Sequence, residues 1–329
     1  MKKVLITTVP FAGKNPIPLE MLEAAGIEYL INPLGRKLNE KELALMVSDF
    51  DAIIAGTEKI TDDVMENSKN LKLISRVGIG LDSLDLLAAK RRGIKVSYTP
   101  DAPSPAIAEF TVGLMLTMLH SVHMSNFQMH VGNWNRYSGR RIPDVTIGVI
   151  GLGRIGKRVL NLLSSFGATK FLLNDISPNL EIDREFNVKW VTNEEIYKQA
   201  DVITFHLPLT KESNNMVRKE HLKMMKPDAI LINTSRGGII NEDDLYDVMN
   251  EGHLSGAAID VFVQEPYSGR LREIERCILT AHMGSSSVNC RTRMEREATE
   301  EVVRFLTGKP LEGLVPEHEY TIQREGLEK

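Results

Sequence analysis

An α/β fold of two doubly wound parallel-sheet domains is predicted by three features of the chain. Strand-like apolar stretches alternate with helix-like ones over nearly the whole length. A proline-rich crossing, Thr99-Pro100-Asp101-Ala102-Pro103-Ser104-Pro105, divides the alternation into two series, and the second opens on a glycine-rich turn, Gly151-Leu152-Gly153-Arg154-Ile155-Gly156. Such alternation is the pattern of parallel strands joined by crossover helices and covered on both faces. With 329 residues, 42% of them hydrophobic, the chain can fill two cores.

In the first series, Val4–Val9 reads as a strand, Pro18–Ala25 as a helix stopped by Gly26, and Ile27–Ile31 as extended. Asn39 can cap a helix running through Val47, Ala52–Ala55 is a short apolar strand, and Thr61–Asp63 opens another helix. Leu71–Val77, the helix Ser83–Arg92 closed by Gly93, and Ile94–Tyr98 complete the unit. Beyond the proline-rich crossing come the apolar helix Ala106–Leu119 and a polar stretch containing Trp134 and Tyr137. The second series then has six strands: Val145–Ile150, Lys170–Asn174, Val202–Phe205, Ala229–Asn233, Ala257–Ile259 and Cys277–Thr280. From Ser285 the chain turns helical, with an amphipathic run from Val288 to Thr307 that stops at Gly308. This run follows the end of the second series, so it is expected to return to the first domain. The expected division is 1–100 with 285–329, and 101–284. Glu317–Lys329 reads as a polar tail.

Composition narrows the function classes. Net charge is −4, so no basic field argues for nucleic acid or an anionic membrane surface. Cys277 and Cys290 stand in no paired spacing, which disfavours a disulfide scaffold or a zinc site and fits a reducing cytoplasm. No stretch reaches the roughly 20 apolar residues needed to cross a bilayer. His120, His123 and His130 lack carboxylate or thiolate companions, so no metal is expected.

The glycine-rich turn stands between the strand ending at Ile150 and a helix over Lys157–Phe166, the setting a dinucleotide fingerprint requires. Gly151 makes the tight turn, Gly153 lets a pyrophosphate approach the backbone, and Gly156 lets helix and strand pack. Asp175 closes the next strand, where a carboxylate accepts from both ribose hydroxyls and repels a 2′-phosphate. No arginine follows at Ile176, Ser177 or Pro178, so NAD is favoured over NADP. Three further strand ends supply chemistry. Arg236, flanked by Gly237 and Gly238, presents a fork for a carboxylate and a carbonyl. Glu265 and His282 follow neighbouring strands as a carboxylate–imidazole pair, which fixes the tautomer and makes His282 a proton donor.

These residues carry a family resemblance. Val77-Gly78-Ile79-Gly80-Leu81-Asp82, the Gly151–Gly156 fingerprint, His206-Leu207-Pro208-Leu209-Thr210, Thr234-Ser235-Arg236-Gly237, Asp260 through Glu265-Pro266, and Ala281-His282-Met283-Gly284 resemble the motifs of D-isomer-specific 2-hydroxyacid dehydrogenases along essentially the whole chain. The resemblance implies a flavodoxin-like substrate domain and a Rossmann NAD-binding domain. Arg236 is implied as substrate binder and polariser, His282 as acid and base, and Glu265 as its partner. Backbone amides around Gly78 and Ile79 are implied to grip the substrate carboxylate, in a cleft between the domains. Implied cofactor contacts are the fingerprint glycines with Arg154, Ile155, Asp175, His206, Leu207, Pro208, Thr234, Ser235, Asp260 and Gly284.

Within the family, Asp101-Ala102-Pro103-Ser104-Pro105-Ala106 and Arg76 resemble phosphoglycerate dehydrogenases, and 3-phosphohydroxypyruvate is the first expectation for the substrate. Where those enzymes often carry an arginine after the Ile53-Ile54 strand, this chain has Ala55-Gly56-Thr57-Glu58-Lys59; Lys59 is a substitute, and Glu58 weakens the anion site. Feedback control through the serine-sensing C-terminal domain of the longer forms is not expected. Glyoxylate or hydroxypyruvate reduction is the competing expectation, and an NAD-sensing binding protein a third. Formate oxidation, which releases no hydroxyl proton and uses glutamine beside the histidine, fits less well. The Ala106–Leu119 helix, apolar around most of its circumference, together with the segment bearing Met124, Met129 and Trp134, predicts a homodimer.

Overall fold

The computed structural model describes residues 2–179 and 181–327. The chain divides into two compact units, Met1–Pro103 with Ser286–Lys329, and Ser104–Ser285. In the first, β1 (Lys3–Ile6), β2 (Glu28–Ile31), β3 (Ala52–Ala55), β4 (Leu73–Arg76) and β5 (Lys95–Tyr98) form a parallel sheet in the order β2-β1-β3-β4-β5. Alternate side chains serve its two faces. Leu5, Ile53, Ile74 and Val96 enter the core shared with the helices Glu40–Met46, Asp62–Glu66 and Leu86–Arg91, while Ser75 faces the helix Val288–Leu306 and donates to the Ala298 carbonyl at 2.8 Å. The expected caps form. Asn39 and Glu42 close a reciprocal capping box, and Asp85 accepts from the Ala88 amide.

The second unit holds β6 (Ile147–Ile150), β7 (Phe171–Asn174), β8 (Val188–Trp190), β9 (Val202–Phe205), β10 (Ile230–Asn233), β11 (Gly256–Ile259) and β12 (Cys277–Leu279). All pair in parallel, in the order β12-β11-β10-β9-β6-β7-β8, with a separate apolar core against each face. Seven strands are thus found among the described residues, where the sequence reading expected six. The additional one, β8, is a three-residue edge strand with no fully buried residue, too short to leave an apolar run.

Two helices depart from expectation. The apolar helix begins at Ser104 and runs to Leu119, packed on Arg154–Ser165 within the same unit. The polar tail forms a helix over Glu317–Leu327, anchored where Gln323 Oε1 accepts from the Leu86 and Leu87 amides at 2.7 and 3.2 Å; residues 328 and 329 lie outside the described residues. No single helix among the described residues is long and apolar enough to cross a membrane; Ser104–Leu119 and Val122–His130 reach that length only as a pair bent by 65°.

Candidate active site and dinucleotide site

In an open α/β sheet, ligands bind beyond the carboxyl ends of the strands where the strand order reverses. In the second unit that point lies between β6 and β9, and the glycine-rich turn leaves β6 there. A side chain at Gly151 would meet the His206 carbonyl oxygen at 2.4 Å, and one at Gly156 the Gly151 oxygen at 2.0 Å. Around Gly153 nothing lies within 4 Å, so the backbone is open to an approaching group. Gly153 is also the N-cap of the helix Arg154–Ser165 and provides no side-chain cap, which leaves the first-turn amides directed at that space.

Asp175 follows β7 beside this turn, its Oδ2 accepting from the Leu152 amide at 2.6 Å and its Oδ1 from the Ser177 amide at 2.8 Å. Across the reversal, His206 follows β9. Its Nε2 lies 3.1 Å from Thr204 Oγ1, its Nδ1 is buried without a partner, and burial pushes the imidazole down to about 3, so it is neutral at ordinary pH. An open glycine turn, uncapped helix amides, an adjacent carboxylate and an orphaned buried nitrogen fit a dinucleotide's phosphates and ribose. Arg154 and Ile155 begin the helix, and Leu207 and Pro208 continue the loop after β9.

Arg236, Glu265 and His282 leave the adjoining strands β10, β11 and β12, whose ends are in register through Asn233, Ile259 and Leu279. Asn233 shapes the first loop: its Oδ1 accepts from the Ser235 amide and hydroxyl at 3.1 and 2.8 Å, and its Nδ2 donates to the Arg236 carbonyl at 2.8 Å. Asparagine at a strand end has this habit of folding back on following backbone, a signal the motif reading passed over. The Arg236 guanidinium is half-buried and Nη1 donates to the Ser235 carbonyl at 2.7 Å.

His282 Nδ1 lies 3.1 and 3.0 Å from the two Glu265 oxygens, so the expected pair is formed. His282 has φ of 51°, an uncommon left-handed conformation for a side-chain-bearing residue. Asp260 accounts for it. Its buried carboxylate accepts from Thr280 Oγ1 at 2.6 Å, Met283 N at 2.7 Å and Gly284 N at 2.9 Å, and its carbonyl from His282 N at 2.9 Å. Asp260 and Gly284, expected as cofactor contacts, therefore hold each other and the histidine turn. Thr234 is likewise engaged, its hydroxyl 2.7 Å from that of Thr111.

Glu242 was not singled out from the sequence. It opens the helix Glu242–Asn250, and its Oε1 accepts from the Val263 amide at 2.7 Å, bracing the loop that carries Glu265. Burial, and secondarily the charges of Asp243 and Glu265, hold the Glu242 carboxyl above the usual range.

In the first unit, the expected substrate turn is partly committed to itself. Gly78, at φ of 134°, donates its amide to Thr99 Oγ1 at 2.8 Å. Among the described residues the Ile79 and Gly80 amides have no partner. Arg76 is 7% exposed, and its guanidinium donates to the Gly80 carbonyl at 3.1 Å and to the Val77 carbonyl. It shapes the turn from beneath.

Residues 112–284 match the family described as D-isomer specific 2-hydroxyacid dehydrogenase, NAD binding domain. The chain belongs to this family. It carries the family's NAD-binding domain and stands among NAD-dependent oxidoreductases that act on the CH–OH group of 2-hydroxy acids. It is 35% identical over 284 residues to a D-3-phosphoglycerate dehydrogenase of Methanocaldococcus jannaschii, covering 84% of this chain and 54% of that one. It is 32% identical over 276 residues to a hydroxypyruvate reductase of Thermotoga maritima, covering 82% and 89%. The chain thus spans about half the length of the former relative and most of the latter. The solved structure of D-lactate dehydrogenase from Aquifex aeolicus, complexed with NAD and lactic acid, superposes with a TM-score of 0.82 at 26% identity, covering 93% of this chain and 96% of that one.

Proposed function

We propose that the chain reduces a short 2-keto acid to the D-2-hydroxy acid with NADH, and catalyses the reverse oxidation. The observation that carries this reading is the Glu265–His282 pair at the ends of β11 and β12, beside Arg236 on β10. The chemistry the dinucleotide supplies when bound is a hydride for the carbonyl carbon. Glu265 occupies His282 Nδ1, which leaves Nε2 to deliver the proton to the carbonyl oxygen. The Arg236 guanidinium binds the substrate and offsets charge developing on that oxygen. The Ile79 and Gly80 amides offer a grip for a carboxylate. The fingerprint glycines, the first-turn amides of Arg154 and Ile155, Asp175 and the His206–Pro208 loop hold the dinucleotide, while Asp260, Gly284, Thr234 and Ser235 act by fixing the loops around it.

Expectation from the sequence favoured 3-phosphohydroxypyruvate, with Arg76 and Lys59 as cations. Arg76 is turned onto backbone carbonyls and Lys59 is exposed beside buried Glu58, which moves the balance toward glyoxylate or hydroxypyruvate. Side-by-side NADH oxidation with glyoxylate, hydroxypyruvate, pyruvate and 3-phosphohydroxypyruvate tests the reading. Turnover of at least one is expected; tight NAD binding with no turnover of any would instead favour an NAD-sensing protein.

We also propose a homodimer in the cytoplasm. The helix Val122–His130 has no buried residue, and Val122, Phe127, Met129, Val131 and Trp134 are exposed along it and the following segment. Such an apolar stretch marks an interaction surface. Light scattering at micromolar concentration should give twice the 36.9 kDa chain mass, and a monomeric mass would defeat the proposal.

A further inference from the structure

We propose that Glu242 is a positioning residue for the Glu265–His282 pair, and that it acts through one acceptor oxygen rather than through its charge. This rests on the reading above and concerns what keeps Glu265 against the imidazole. The loop after β11 sends two consecutive amides to two different carboxyl groups: Phe262 N donates to Glu265 Oε1 at 3.2 Å, and Val263 N to Glu242 Oε1 at 2.7 Å. The first bond orients the carboxylate that meets His282 Nδ1 at 3.0 Å. The second ties the same stretch of backbone to a separate helix. Since the Val263 side chain is 73% exposed, it is the amide, and not side-chain packing, that fastens the loop at this point.

Glu242 is itself held in place. It is the first residue of the helix Glu242–Asn250, whose N-cap Asn241 accepts from the Asp244 amide at 3.0 Å. Asn241 Nδ2 donates to Asn215 Oδ1 at 3.1 Å, and the Asn215 amide donates to the Gly238 carbonyl at 2.6 Å, so the start of the helix is tied to the loop that bears Arg236. From that loop Gly237 backs onto Phe262, where an added Cβ would stand 2.0 Å from the carbonyl carbon. The Glu265 loop is therefore stopped by backbone at Phe262 and held by a hydrogen bond at Val263. Released from Glu242, it is free to move away from Gly237 but not toward it. Such a movement carries Phe262 N with it, and the orientation of Glu265 is lost.

An acceptor role and a charge role make different demands on the side chain. A carboxyl group keeps an oxygen that accepts from an amide whether or not it is protonated, so burial, which raises the Glu242 carboxyl above its usual range, leaves the bond to Val263 intact. What the bond does require is reach. Glutamine keeps the reach and the oxygen without the charge. Aspartate keeps the charge and suits the first turn of a helix, but withdraws the oxygen by about one carbon–carbon bond, ~1.5 Å, out of hydrogen-bonding distance of Val263 N.

The test compares Glu242→Gln and Glu242→Asp in the full chain. Glu242→Asp should lower kcat for keto-acid reduction about thirtyfold, with KM for the keto acid and Kd for NADH each within about threefold of the parent, because a displaced positioning group costs rate rather than binding. Glu242→Gln should stay within about threefold in all three. Parental kcat in Glu242→Asp would overturn the positioning role. A loss in folded Glu242→Gln as large as that expected of Glu242→Asp would overturn the acceptor role, even if Glu242→Asp failed to fold. A readout independent of turnover is the His282 Nδ1 proton resonance, assigned by its disappearance in His282→Ala; bonded to a carboxylate it lies far downfield, and it should persist in Glu242→Gln and move upfield in Glu242→Asp. Absence of turnover with every keto acid would remove the proposed function, while an unmoved resonance in Glu242→Asp would remove this inference.

Discussion

His282→Ala should lower kcat for keto-acid reduction by about a thousandfold, in the range of general acid catalysis, with KM changed less than threefold. The imidazole is the one group in the β10–β12 loops placed to move a proton while hydrogen-bonded to a carboxylate. Its side chain is 47% exposed, so truncation removes little packing and the melting temperature should shift by no more than about 2 °C. Loss of activity without loss of fold is the expected signature. Glu265→Gln should cost less, about tenfold to a hundredfold, because the imidazole stays in place with a neutral partner. Near-normal turnover of every active keto acid by His282→Ala would show that the proton comes from elsewhere.

Much of the fold was legible because local and global signals agree. Ala52–Ala55 and Val202–Phe205 are short apolar runs between polar breaks, and both appear as strands at those residues. The helix ends at Asn39 and Gly308 carry their own capping chemistry. β8 and the C-terminal helix were not legible, since one has three residues and no buried side chain and the other is held by contacts distant in sequence, such as Gln323 to Leu86, 237 residues away. At the candidate site, residue types and strand ends could be read, but commitments through space could not. The Gly78 amide meets Thr99 across a strand pairing, and Asp260 reaches Gly284 around a turn. Burial of Glu58 is equally invisible in a segment as polar as Gly56-Thr57-Glu58-Lys59. Polar residues near a sheet edge announce themselves by type, whereas which of them remains available is decided by tertiary hydrogen bonds.

Gly237→Ala should be among the most disruptive single methyls in the second unit. A Cβ there would stand 2.0 Å from the Phe262 carbonyl carbon, 2.1 Å from its oxygen and 2.5 Å from Val263 N, all backbone atoms that cannot rotate aside. The loop they belong to would have to shift. That loop donates Phe262 N to Glu265 Oε1 at 3.2 Å and Val263 N to Glu242 Oε1 at 2.7 Å, and stacks Phe262 on Tyr267 with ring centroids 4.1 Å apart. The substitution should therefore destabilise by about 3 kcal/mol, the upper range for overpacking, and lower the melting temperature by roughly 6–12 °C. It should also reduce kcat at least a hundredfold by moving Glu265 relative to His282, since small displacements of positioning groups carry large rate penalties. Gly153→Ala is the informative contrast, because its Cβ would have nothing within 4 Å. That variant should melt like the parent chain and lose at least tenfold in NADH affinity, the methyl occupying the space a phosphate approaches. Equal behaviour of the two variants would mean that the closeness of Gly237 to Phe262 is not what holds Glu265 in place.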